Sequence, residues 1–154
     1  MMSTMLYRDL LKERGEETCP FCDPKDRIIT ERETAYITYC LAPFCRHHAL
    51  VIPKRHVLHV HEFTKEEWRD LSALISEGTQ MLYALDHGFI SVLMRDGRHP
   101  GKSVEHLHYH LAPDIDLRPE SDIERSERED RREILTKEQI AETLADFARV
   151  IKNS

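Results

Sequence analysis

Apolar positions change their period several times along the chain, and each change marks an element. In TKEEWRDLSALISEGTQMLYALD (64–86), Trp68, Leu71, Ile75, Leu82 and Leu85 recur at helical spacing, which predicts one long helix with those side chains turned to a core. Thr64 and Glu67 form a capping box at its start: the hydroxyl accepts from an orphan amide and the carboxylate reaches back to the cap. Gly78 costs a helix interior about 1 kcal/mol relative to alanine, so a close packing neighbour is expected beside it. RIITE (27–31), TAYITYC (34–40), HHALVIP (47–53), FISVLMR (89–95) and VEHLHYHLA (104–112) are short β-rich runs. They predict five strands, the first two a hairpin and the third stopped by Pro53, which cannot donate to a ladder. Residues 4–14 read as a short helix ended by Gly15, with Leu6, Leu10 and Leu11 on one side. A last helix starts at Thr136, capped with Gln139. Its apolar face, Ile140, Leu144, Phe147 and Ile151, suits this domain or a partner subunit.

Composition narrows the class. A chain of 154 residues with 40% hydrophobic content is one domain's worth with a sizeable core. It lacks the ~18 consecutive apolar residues of a membrane span, and charges occupy the place of a signal peptide's apolar segment, so no membrane partner and a cytoplasmic location are expected. A net charge of −6 argues against a nucleic-acid binder. Arg46, Lys54 and Arg55 still offer local cations for a phosphate. RPESDIERSEREDRRE (118–133) reads as a solvated linker without chemistry.

The candidate chemistry lies in cysteines and histidines. Cys19 and Cys22 form C-P-F-C, the spacing of a metal knuckle, of a redox pair or of coincidence. Cys40 and Cys45 sit in an apolar stretch and are expected to pack as small hydrophobes. His106, His108 and His110 alternate with Leu107, Tyr109 and Leu111. In a strand, such imidazoles share one face with neighbours ~7 Å apart. Three donors spread over ~14 Å cannot all meet one zinc whose bonds are ~2.1 Å, so at most two share an ion. A solvated sheet face, a histidine-rich metalloenzyme and a divided set of roles all remain open on spacing alone.

Four landmarks in order carry a resemblance. HLHYHLA (106–112) resembles the signature of the histidine triad family, HHALVIPKRH (47–56) looks like its second landmark, GKSVEH (101–106) is similar to its phosphate loop, and CPFC precedes them. The resemblance covers residues 18–113. It implies an α+β, HIT-like fold, a five-stranded antiparallel sheet with a long helix, to which this chain adds a C-terminal helix. A single domain is expected over 1–154, with a core at 18–113, a charged linker at 114–135 and the last helix at 136–152; a homodimer is implied as well. The implied activity is hydrolysis at the α-phosphate of a purine nucleotide, a phosphoramidate or dinucleoside polyphosphate, through a covalent nucleotidyl-histidine on His108. His110 and His48 would contact phosphate, with Ser103, Gly101, Lys102 and Arg95 around it. Histidine at 110, where transferases of the superfamily show glutamine, implies water as acceptor. Cys19, Cys22, His56 and His106 would hold a structural zinc. A nucleotide-binding module without turnover is the alternative on the same scaffold.

The chain also departs from the pattern. Cys40 replaces a common ribose-binding aspartate, Arg95 an asparagine, Lys102 a glutamine and His47 a glycine. Arg95 is expected to pair with Asp96, and His59, His61, His87 and His99, matching no motif, are expected at the surface.

Overall fold

The computed structural model describes residues 6, 19–98, 104–116 and 132–152. The helix expected at 4–14 lies outside them apart from Leu6, as do most of the charged segment, His99 and the loop residues Gly101, Lys102 and Ser103.

Five antiparallel strands, β1 (Ile28–Glu31), β2 (Ala35–Tyr39), β3 (Ala49–Pro53), β4 (Ile90–Met94) and β5 (Tyr109–Pro113), form one sheet in the order β1-β2-β3-β5-β4. Every residue of β2 and β3 is buried, because both faces of the central strands are covered. On one face lies the long helix α1 (Lys65–Ala84), with Ile37, Val51 and Leu111 of the sheet meeting Leu71, Leu74 and Leu82. The opposite face carries Tyr36, Cys40, Leu50 and Ile52, a smaller cluster joined by Phe21. This second face holds the chemistry.

Helix α1 begins as its sequence predicts. Thr64 Oγ1 accepts from the Glu67 amide at 3.1 Å, and Glu67 Oε1 accepts from the Thr64 amide at 2.9 Å. Glu67 is buried nonetheless, its carboxylate gripped by Arg55 at 2.8 and 3.2 Å. That arrangement corrects the expected stripe: Trp68 stays 42% exposed and only meets Phe63 edge-on, since Glu67 takes the inward position of the first turn. Gly78 has the expected neighbour. A Cβ there would come within 2.6 Å of Leu111 Cδ1.

Helix α2 (Lys137–Lys152) docks on the same domain through Phe147 and Val150, both buried in the main core. Just before it, Glu133 bridges Leu6 and the Leu135 amide donates to the Leu41 carbonyl at 2.9 Å. The end of the chain is thereby laid against the loop that precedes β3. No helix among the described residues is long and apolar enough to cross a membrane.

Candidate active site and metal centre

The expected strand 104–112 starts only at Tyr109. Upstream of it the Leu107 amide donates to the Val57 carbonyl at 2.7 Å, and the His106 ring reaches Pro53 and the cysteines, so this backbone leaves the ladder. The His108 and His110 ring centroids stand 4.8 Å apart, the two rings leaning together edge to face.

Each histidine of the run is fixed by a different partner. His106 is fully buried, and its Nε2 lies 2.7 Å from the Pro53 carbonyl. A carbonyl only accepts, so Nε2 carries the proton and the Nδ1 lone pair points away. Nδ1 lies 3.3 Å from Cys19 Sγ and 3.5 Å from Cys22 Sγ, while His56 Nδ1 lies 3.3 Å from Cys22 Sγ. The ligand atoms of all four residues fall within 4.8 Å of one another, the one such cluster among the described residues. Tetrahedral bonds of ~2.3 Å to sulfur and ~2.0 Å to nitrogen put neighbouring donors roughly 3.5 Å apart. The cluster therefore fits a metal ion with two thiolates and two imidazoles. Its knuckle is pre-folded: Arg27 donates to the carbonyls of Pro20, Asp23 and Pro24, and the Tyr36 hydroxyl to that of Phe21 at 2.6 Å.

His108 Nδ1 lies 2.7 Å from the His106 carbonyl. By the same reasoning Nδ1 holds a proton, so the neutral tautomer compatible with this contact has its lone pair on Nε2. His48 is bound in the opposite sense. The Phe44 amide donates to its Nδ1 at 3.2 Å, so its proton sits on Nε2 and is directed to His110 Nδ1, 3.0 Å away. His110 must then carry its own proton on Nε2, as a donor. Burial foremost, then the nearby Arg132 and His108, pushes His48 down to about 3; burial, His48, His108 and Arg132 hold His110 well below its ordinary range. Both are neutral donors at pH 7. A cavity of about 50 Å³ opens beside His108 and His110, bounded by Phe21, Tyr36, Cys40 and Arg132. It has room for a few waters or one phosphoryl group and is smaller than a whole-ligand pocket. A larger cleft of about 420 Å³ lies past His48, between residues 43–47 and α2.

Other expectations divide. Cys40 is buried as foreseen, with its thiol pushed up by burial, and burial likewise raises Cys45 to about 12. Arg95 does not pair with Asp96, whose carboxylate accepts instead from His59 Nδ1 at 3.0 Å and the Val60 amide at 2.6 Å. The buried Arg95 Nη2 has no hydrogen-bond partner among the described residues. The basic trio faces carboxylates: Arg46 meets Glu142 and Asp146, Lys54 meets Glu31, and Arg55 meets Glu67.

His61 is exposed and stacks on the half-buried His59. His87 is a correction, its side chain only 11% exposed. It belongs to a chain of contacts: Asp146 Oδ2 to His47 Nε2 at 2.7 Å, His47 Nδ1 to His87 Nε2 at 2.8 Å, and His87 Nδ1 to Asp114 Oδ2 at 2.7 Å. His47 and His87 hold the two carboxyls below their usual range through these bonds. His47, standing where the resemblance expects glycine, has φ +63, the left-handed region that glycine tolerates best. Its two hydrogen bonds hold the side chain in that position.

The sequence pattern of the HIT domain matches residues 23–116. An adenosine 5'-monophosphoramidase of Schizosaccharomyces pombe is 34% identical over 73 residues, covering 47% of this chain and 53% of the relative. A bis(5'-adenosyl)-triphosphatase of Dictyostelium discoideum is 32% identical over 95 residues, covering 61% of this chain and 64% of the relative. The chain thus spans less than two thirds of either relative. Among solved structures, a hypothetical histidine triad nucleotide-binding protein from Sulfolobus tokodaii aligns with a TM-score of 0.70 at 20% identity, over 88% of this chain and 93% of that one.

Proposed function

Because the chain belongs to the HIT domain family, we propose that it hydrolyses nucleotides at the α-phosphate, with phosphoramidates or dinucleoside polyphosphates as substrates. The observation that carries this reading is the contact between His108 Nδ1 and the His106 carbonyl. It favours the tautomer with the proton on Nδ1 and the lone pair on Nε2, the atom that a nucleophilic imidazole needs. Attack by Nε2 forms a P–N bond and breaks the bond from phosphorus to the leaving group: a phosphate departs as its anion, and an amine departs with a proton taken from solvent. The Nδ1–H bond to the carbonyl stabilises the positive charge the substituted ring acquires. Water then cleaves the P–N bond and restores the imidazole. His110 Nε2–H is the donor suited to the non-bridging oxygens, and His48 aligns it from behind. Names of the two relatives, a phosphoramidase and a triphosphatase, support the substrate classes.

Zinc is the ion that the Cys19, Cys22, His56 and His106 set suits best. When bound, it would supply a closed four-ligand crosslink. One of its four donors is His106, two positions before the nucleophile, so the bound ion would position His108 from outside the reaction.

The test is a rapid alkaline quench of the protein mixed with a nucleotide labelled in the adenylyl group. Label should remain on His108 in a bond stable to alkali and labile to acid, and His108→Ala should neither retain label nor turn over substrate. Turnover that survives His108→Ala overturns the proposal.

A further inference from the structure

Arg132 reaches the triad from a segment that the sequence marks as solvated charge. Its Nη1 donates to the Ala42 carbonyl, and its guanidinium carbon lies 4.0 Å over the Phe44 ring. The same ring stands 5.5 Å from His48 and 6.5 Å from His110. One aromatic side chain is therefore the common platform for a fixed cation and for two of the site's imidazoles. Arg132 also bounds the small cavity together with His108 and His110.

Charge and size then point one way. No described carboxylate lines that cavity, and Arg27, its other guanidinium, clamps the backbone of the knuckle through three carbonyls. His48 and His110 are neutral and contribute dipoles without charge. A phosphoryl group attacked by His108 carries negative charge before and during displacement, and a planar guanidinium suits its paired oxygens. We propose that Arg132 is a substrate-binding residue, the fixed cation that holds the phosphate oxygens beside His108. The ligand class is a phosphoanion, and its identification as a nucleotide rests on the reading of the site given above. The C-terminal segment thereby completes a site whose other groups lie between residues 19 and 110.

Calorimetric titration of the full chain with adenosine, adenosine monophosphate and inorganic pyrophosphate tests the assignment. Arg132→Gln should weaken the monophosphate and pyrophosphate by about tenfold to a hundredfold, with adenosine affinity unchanged. Arg132→Lys should keep part of the loss from appearing, and guanidinium ion should partly restore binding to the Gln variant. Should the Gln variant melt at a lower temperature, the Lys variant and the rescue carry the test. Equal monophosphate affinity in the wild type and both variants overturns the proposal, as does an equal loss for adenosine and monophosphate. Tighter monophosphate binding by the Gln variant also overturns it, because Arg132 would then be an obstruction. A wild type that binds pyrophosphate through Arg132 but neither adenosine nor its monophosphate refutes the nucleotide reading and leaves this one standing. Binding of none of the three probes refutes both.

Discussion

Lowering the pH from 7 to 5 is expected to cost the fold about 2 kcal/mol through His48 alone. His48 is 2% exposed, and burial, with Arg132 and His108 behind it, holds its pKa at about 3. In the unfolded chain the same ring titrates near ~6.5. The folded value is the depressed one, so the stability it contributes is present above the unfolded pKa and is lost as the pH falls toward the folded value. Over that window the unfolded state takes up a proton that the buried site refuses, with a limiting slope of about 1.4 kcal/mol per pH unit. Integrated from pH 7 to 5 this is about 2 kcal/mol, and the result requires only that the folded pKa lie well under 5. His110, also held low, adds a term of similar sign. The assay is urea unfolding of the wild type and His48→Gln at pH 7, 6 and 5. Glutamine can accept from the Phe44 amide and donate to His110, so the network is disturbed little. Whatever its absolute stability, the variant should lose about 2 kcal/mol of the wild-type pH dependence. Equal pH dependence in the two proteins would refute the burial argument.

Metal analysis should find about one zinc per chain, absent from Cys19→Ser and retained in His108→Ala, and chelation should lower the unfolding temperature because metal affinity is folding energy. Gly78→Ala should destabilise by about 1 kcal/mol in urea unfolding, since overpacking against Leu111 at 2.6 Å outweighs the helix-propensity gain; a more stable variant would contradict the close approach. Both His47→Ala and His47→Gly lose the bonds to His87 and Asp146, so the glycine variant should be the more stable by about 1 kcal/mol through relief at φ +63 alone. Thermal melts of the pair at one pH measure that difference directly.

Periodicity made the scaffold legible. The five strands and two long helices follow from alternation, capping boxes and Pro53, because these are local signals that tertiary packing reinforces. Trp68 was misplaced because Arg55, distant in the sequence pattern, makes burial of Glu67 favourable and takes the inward position from the tryptophan. The strand start at residue 104 failed for a related reason: His106 is drawn out of the ladder by Pro53 and the cysteines, and pattern alone shows no such pull. The metal set is implied by the family resemblance, as are His48 and His110 as phosphate contacts, whereas the bond between those two rings is visible only in the structure. His87 and Arg132 were missed because their partners are far away in sequence, at Asp114, His47, Ala42 and Phe44. A histidine in a chain with few obvious places for it, and an arginine in a run of charges, carry no local mark of burial.

Residue 106 holds two offices at once. Its side chain reaches the cysteines and its carbonyl fixes the proton on His108. The consequence is mechanical. A lineage that drops the cysteines leaves this peptide unit held by Pro53 and Val57, so the knuckle and the reacting ring are coupled through residue 106. Substitutions in CPFC shift the load onto Pro53 and Val57, the two backbone groups that hold residues 106 and 107 from the other side.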